Sequence, residues 1–344
     1  MSSLQIGLLG AGALTLLAVV LYNYWVSRKS APRQAEALEP SDTHSNPAFQ
    51  DAGAVEPVLT DDFDKLPQPE RKPVLDALID VIATMEVEHP VSGDAALAAL
   101  PATRRVGTKA FNVEGCSELT GEWEPIVPGR RYSAFQAGVQ LANRVGPLNE
   151  IEFSEFVVKT QAFADALGGS PVFSDMLEEV ARARELDQFA SEHDAQLSFA
   201  ITALSAAWSP GYVHQHAARL GFVAGVIPGR MVLPAEVQGL PPLLSLTFDM
   251  QAAMAEDPDL SAIREFILSL DVPQVARTEQ PFVRLRQAAD WLAQQMDGAV
   301  TDGGGQRLGP EVLDQIALDL EQLYNALDER ELSAGSAQAR RLFS

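Results

Sequence analysis

From Leu4 to Val26 the chain carries no charged side chain and is built mostly of Leu, Val, Ala and Gly. At 1.5 Å per residue, a helix of about 20 such residues crosses a hydrocarbon layer about 30 Å thick. Tyr22, Tyr24 and Trp25 sit at its C-terminal end, where amphipathic rings prefer the headgroup level. Arg28, Lys29 and Arg33 follow, and no Lys or Arg precedes the stretch. Basic residues mark the cytoplasmic side, so the N-terminus is expected in the periplasm and the remainder in the cytoplasm. A cleaved signal peptide would carry its basic residues ahead of a shorter apolar core. Residues 1–27 therefore read as a retained single-pass anchor.

Residues 28–72 change character. Pro32, Pro40, Pro47, Pro57, Pro67 and Pro69 are spread among Asp, Glu, Ser and Ala, with few large apolar residues. Such a stretch cannot bury enough surface to offset its ordering entropy, so a disordered, extended linker is expected. The whole chain has a formal net charge of −22, which excludes nucleic acid and anionic lipid headgroups as natural partners of its surface. The lone cysteine, Cys116, rules out a disulfide framework within the chain and reads as a small buried hydrophobe.

Past Val74 the pattern becomes that of a folded α+β protein. Ser92–Leu100 reads as a short helix, and Arg104–Val113 and Trp123–Val127 as strands. In Tyr132–Leu141, Phe135, Ala137, Val139 and Leu141 alternate with smaller or polar residues, the period-2 sign of a half-buried strand. A further strand is expected to end near Phe156, followed by helices either side of Gly168-Gly169. The order then repeats: a strand over Leu197–Ala203, a helix over Gly211–Leu220, and strands near Phe222–Ile227, Met231–Leu233, Leu244–Phe248 and Ile263–Val272. A helix from Pro281, a turn at Gly303-Gly304-Gly305 and a last helix from Pro310 complete it. Glu155-Phe156-Val157-Val158 is echoed by Gln280-Pro281-Phe282-Val283 at an offset of 126 residues (282 minus 156). Two diverged copies of one unit are expected, over 73–194 and 195–330, with 331–344 as a flexible tail.

The residues of catalysis are sparse. No phosphate-binding loop, dinucleotide fingerprint or HExxH pattern occurs, and Gly303-Gly304-Gly305 lacks the Lys that would hold a phosphate. His214 and His216 are two apart on an expected helix and diverge instead of sharing a metal. Asp257-Pro258-Asp259 departs from calcium-loop spacing. The expectation is a non-enzyme with neither cofactor nor metal.

The layout of anchor, acidic Pro-rich linker and α+β domain resembles the ZipA family of bacterial cell-division proteins. The similarity is strongest in Phe282-Val283-Arg284-Leu285-Arg286-Gln287-Ala288-Ala289-Asp290-Trp291-Leu292-Ala293, in Gly298–Asp302, and in the closing helix from Gly309-Pro310-Glu311. Ala218-Arg219-Leu220-Gly221-Phe222, Pro242–Leu246 and Val272-Pro273 add to it, so that the ordered set covers about 195–330. The resemblance implies a split β-α-β fold with an antiparallel sheet and helices on one face. It also implies a shallow groove on the open face for the C-terminal peptide of FtsZ, the tubulin-like division polymer. The implied role is a tether that holds FtsZ filaments at the inner membrane during septum formation. Carried over by position, the groove falls on Ala195, Leu197, Ile227, Thr247 and Ser269, of which Thr247 and Ser269 are smaller and more polar than the family favours. A slip of one residue would exchange faces and bring in Phe199 and Ile267. A reading from another class is a membrane-tethered regulator that binds a small ligand between its two α+β modules.

Overall fold

The computed structural model describes residues 32–35 and 75–344. The apolar segment 4–26 and most of the proline-rich stretch lie outside the described residues. Among the described residues no helix is long and apolar enough to cross a membrane. The chain divides between Asp194 and Ala195 into two units, and each recruits a distant segment: Ala337–Ser344 belongs with the first, residues 32–35 with the second.

In the first unit the elements are β1 (Asp80–Ser92), α1 (Gly93–Ala99), β2 (Arg105–Val106), β3 (Lys109–Ser117), β4 (Trp123–Pro125) and β5 (Arg131–Gln140). They are followed by β6 (Ala142–Asn143), β7 (Gly146–Pro147), α2 (Glu150–Leu167), β8 (Gly169–Val172) and α3 (Met176–His193). An antiparallel sheet runs β2-β3-β5-β1-β8, with β4 beside β3. Alternation decides which side is covered: Val81, Ala83 and Met85 of β1 and Phe135, Ala137 and Val139 of β5 are buried. Phe135 meets Phe163 of α2 edge to face at 5.5 Å, and Phe111 meets Phe156 at 6.1 Å. Each fully buried Val, Met or Phe side chain contributes about 1.5–3 kcal/mol. Helix α2 starts in a capping box between Asn149 and Glu152 and ends at Gly168, whose φ of 67° only glycine adopts at little cost.

The second unit holds β9 (Gln196–Ala203), α4 (Pro210–Arg219), β10 (Val223–Ala224), β11 (Arg230–Leu233), β12 (Leu244–Thr247) and α5 (Met250–Ala253). After them come β13 (Glu265–Asp271), α6 (Pro281–Met296), β14 (Gly298–Thr301) and α7 (Pro310–Glu329). Its antiparallel sheet runs β10-β11-β12-β13-β9-β14. Phe199, Ile201, Phe266, Leu268 and Leu270 are buried on the side of α6, with Phe199 and Phe282 6.3 Å apart. Trp208 is fully buried and its Nε1 donates to the Met296 carbonyl at 2.8 Å. The fold is thus α+β with antiparallel sheets.

The two sheets share a plan. In each, the strand after the long helix (β8, β14) flanks the first strand (β1, β9), which flanks the last strand of the same sheet before that helix (β5, β13), and then β3 or β12 follows. The registers match residue for residue. Met85 faces Pro171 and Phe135 across its neighbours, as Ile201 faces Val300 and Phe266. Along the long helices, buried Phe153, Phe156, Phe163 and Ala164 correspond to buried Phe282, Leu285, Leu292 and Ala293. That is an offset of 129 residues (282 minus 153). The offset of 126 read from the sequence is one helical turn out of phase, because Phe156 lies inside α2 and ends no strand.

Three other expectations are corrected. The segment 331–344 is no flexible tail: α8 (Ala337–Leu342) buries Ala339, Leu342 and Phe343. The stretch 28–72 is not wholly free, since Arg33 is bonded to the second unit. Cys116 is half-buried on β3, with its thiol 3.4 Å from the Gly121 carbonyl, and is no fully buried hydrophobe.

Candidate functional site

Strand parity fixes what the second sheet shows to solvent. Leu268 and Phe199 pair across β13 and β9 on the helix-covered side, so the uncovered side takes Ser198 and Thr202 from β9 and Ile267 and Ser269 from β13, with Ala200 of the same parity buried between them. Ser245 and Thr247 continue it on β12, opposite Ser269 and Ile267, and Val232 and Arg230 continue it on β11. Thr247 and Ser269 are therefore on this face, one strand apart. Leu197 is half-buried with Phe199's parity, and Ala195 precedes the strand, its carbonyl accepting from Val272 N at 3.0 Å. Of the two alternatives, Ile267 is on the open face, 37 % exposed, and Phe199 is in the core. The register thus stands one residue from the positions carried over on β9, because Phe199 and Ile201 complete the layer under α6.

Around Ile267 the face is small and mostly polar. Ser198 and Ser269 hydroxyls lie 3.2 Å apart, and those of Thr202 and Thr301 lie 3.3 Å apart. Further exposed apolar residues lie at the β10 edge. Ile227 sits in the turn between β10 and β11, 53 % exposed, beside Val226, which is fully exposed. With Val237 and Leu240 they rim a cleft of ≈ 630 Å³ whose lining includes Val232 and Arg230 of the open face. A second cleft of ≈ 400 Å³ shares Ile227 and Arg230 and is lined by His214, Phe248 and Pro258. Ile227 thus stands between two concavities. Burial holds the His214 imidazole below its ordinary pKa, favouring the neutral ring against Phe248, 5.7 Å away. His216 faces elsewhere: it is buried, with Nδ1 2.9 Å from the Tyr212 carbonyl.

Sequence reasoning missed Val226, Arg230, Val232, Val237 and Leu240. One signal was available: Val226-Ile227 immediately precedes Pro228-Gly229, which places two large apolar side chains at a turn where polar residues are usual. Val237 and Leu240 show no period and carry no such mark.

The first sheet's equivalent face is filled by the chain itself. Gly138 holds the position that Ser269 holds in the second sheet, and a Cβ there would stand 2.5 Å from Leu75 Cδ2. Leu75 N donates to Glu114 Oε1 at 3.1 Å, and Gln136 Nε2 donates to Glu114 Oε2 at 2.8 Å. Leu75, Glu114, Gln136 and Gln140 are all buried.

Among the described residues no three His, Cys, Asp or Glu side chains converge as a metal site. No family model and no curated protein matches this chain. Among solved structures, berberine bridge enzyme from Eschscholzia californica aligns over 76 % of this chain and 51 % of its own, at 12 % identity. The chain thus spans about half the length of that enzyme, and the TM-score of 0.15 is no likeness of fold.

Proposed function

We propose that this chain is a membrane-anchored cell-division protein of the ZipA type, which tethers FtsZ filaments to the cytoplasmic face of the inner membrane at the division site. The anchor is the uncharged segment 4–26. The two units are diverged copies of one split β-α-β module, and the C-terminal copy takes the FtsZ C-terminal peptide. The carrying observation is the sheet face of that copy, uncovered by its helices and bordered by the exposed Val226, Ile227, Val237 and Leu240. Contiguous apolar surface beside a sheet edge is a usual seat for a peptide, with β10 offering backbone and the cleft accepting side chains. The ordered sequence similarity over 195–330 supports the same partner, whereas Leu75 closes the matching face of the first copy.

The centre of binding is then the Ile227 edge and not the first strand. Thr247 and Ser269 line the path inward, whereas Leu197 shares the helix-covered side and Ala195 precedes the strand. The test is titration of a labelled FtsZ C-terminal peptide against the full chain in detergent. Binding that Ile227→Asp weakens at least about tenfold supports the reading, a change of about 1.4 kcal/mol. Absence of binding by the parent chain rejects it.

A further inference from the structure

Arg33 lies seven residues past the end of the apolar segment, yet it is built into the second unit. Its backbone forms a parallel bridge with Trp208. Arg33 N donates to the Ala207 carbonyl at 2.7 Å, and Ser209 N donates to the Arg33 carbonyl at 2.8 Å. Trp208 is bonded in turn to Ile263 in both directions at 2.8 Å, so residue 33 adds a third chain to an existing ladder. The guanidinium reaches the C-terminal end of α6, where Nη1 donates to the Met296 carbonyl at 3.2 Å and Nη2 to Asp297 Oδ2 at 2.8 Å. The Ser205 hydroxyl donates to the same carboxylate oxygen. Asp297 sits in the left-handed region, φ 55°.

We propose that residues 32–35 are a docking strand that fixes the 195–336 unit close under the membrane anchor. This rests on the reading of residues 4–26 as that anchor. The consequence is one of reach. A fully extended chain gains at most about 3.6 Å per residue, so Val26 to Arg33 spans no more than about 25 Å, against roughly 150 Å or more for the whole stretch to residue 72. The proline-rich stretch is then no long tether for the peptide-binding copy. The residues after Arg33, which is pinned on the second unit, then lie outside the path from the anchor to the peptide-binding copy. A filament bound to the second unit is held at a short, set distance from the bilayer.

The experiment uses the full chain in nanodiscs of phosphatidylethanolamine and phosphatidylglycerol. Trypsin cleavage of the Arg33–Gln34 bond is followed by mass spectrometry in the parent, in Asp297→Asn combined with Ser205→Ala, and in a free peptide of residues 27–40. Asn tolerates the left-handed backbone, so this variant loosens the clamp without refolding α6. Expected is cleavage at least about tenfold slower in the parent than in the free peptide, with the variant several-fold faster than the parent. Equal rates in parent and free peptide overturn the docking strand, as does a variant that folds normally and is protected like the parent. In a second arm, a dye on Glu329→Cys in a Cys116→Ser background reports energy transfer to labelled lipid. Transfer that falls in the clamp variant supports the short reach, and transfer that does not change overturns it. If the chain fails to enter nanodiscs, the anchor reading fails, while the trypsin result obtained in buffer still decides the docking strand.

Discussion

The guanidinium of Arg341, near the end of the chain, closes on the carboxylate of Asp80 at the start of β1, with Nη2 2.5 Å from Oδ1 and Nη1 2.9 Å from Oδ2. The Asp80 side chain has no exposure to solvent. Around this pair Gln140 Nε2 donates to the Arg341 carbonyl at 2.6 Å, and Gln338 Nε2 donates to Asp76 Oδ2 at 2.8 Å. Helix α8 is thereby a structural member of the first unit, although 142 residues of the second unit (195 to 336) intervene. Removing one partner leaves a buried charge uncompensated, so Arg341→Ala is expected to destabilise the first unit by about 3–5 kcal/mol. Chemical denaturation followed at the first unit checks this. An effect below about 0.5 kcal/mol would show that α8 is dispensable.

The pH dependence of this pair has a definite sign. Burial raises the Asp80 pKa above its ordinary 3.8, outweighing the hydrogen bond from Arg341. The folded state keeps this proton to a higher pH than the unfolded chain does. The group's contribution to stability is therefore largest below 3.8 and declines as pH rises through the raised folded value, then stays level. The stability difference between parent and Asp80→Asn should shrink accordingly from pH 4 to 7. A difference that grows with pH would mean that Arg341 governs the carboxyl and burial does not.

Gly138 is fixed by the side chain above it. A Cβ at this position meets Leu75 Cδ2 at 2.5 Å and the Val81 carbonyl oxygen, which is backbone, at 3.1 Å. Gly138→Val is expected to cost about 1–3 kcal/mol through overpacking and to displace Leu75 from the sheet. The double variant with Leu75→Gly should recover part of that loss. Thermal unfolding of both variants measures the coupling, and simple additivity would contradict the contact.

Aromatic packing under the first sheet allows a sharp contrast on one helix. Phe156 is fully buried and touches Phe111, Phe153 and Phe173, whereas Ile151 is 82 % exposed. Phe156→Ala should destabilise by about 3–5 kcal/mol, and Ile151→Ala should stay within about 0.5 kcal/mol of the parent. Urea denaturation midpoints read both.

At the proposed peptide site, charge is not the driver. The chain is strongly acidic, so an acidic peptide is repelled at long range and attracted only on apolar contact. Affinity should hold or rise between 50 and 300 mM salt as screening shortens to about 10 Å or less. Glu329→Ala, on an exposed residue away from the cleft, should change nothing. A steep fall in affinity with salt would point to Arg230 and an ionic mode instead.

Element types were legible wherever the apolar period was clean. Leu197–Ala203, Pro310 onward and the helix from Pro281 could be read because Phe199 and Ile201, or Leu313 and Leu320, mark one side at the right spacing. The start of α2 was not, since Phe153 and Phe156 stand three apart in a run with Val157 and Val158 that suits a strand equally well. Thr247 and Ser269 could be placed by position on the open sheet face, and Ile227 near its β10 edge. The face shown by β9 could not, because one residue of register exchanges every side chain and local sequence holds no record of it.

By itself the sequence determined the apolar segment at the N-terminus, the acidic balance, the α+β texture and the periodicities that commit each stretch to helix or strand. These are local properties, set by spacing and side-chain chemistry over ten or twenty residues. Tertiary structure alone decided that Gly138 seats Leu75, that Arg341 returns to Asp80, and that Arg33 joins Trp208. Each of these joins residues far apart in the chain, through apolar contact, paired charge or backbone hydrogen bonds respectively. A polar residue such as Arg33 or Arg341 looks the same in a free loop as in a clamp until the partner that desolvates it is brought alongside.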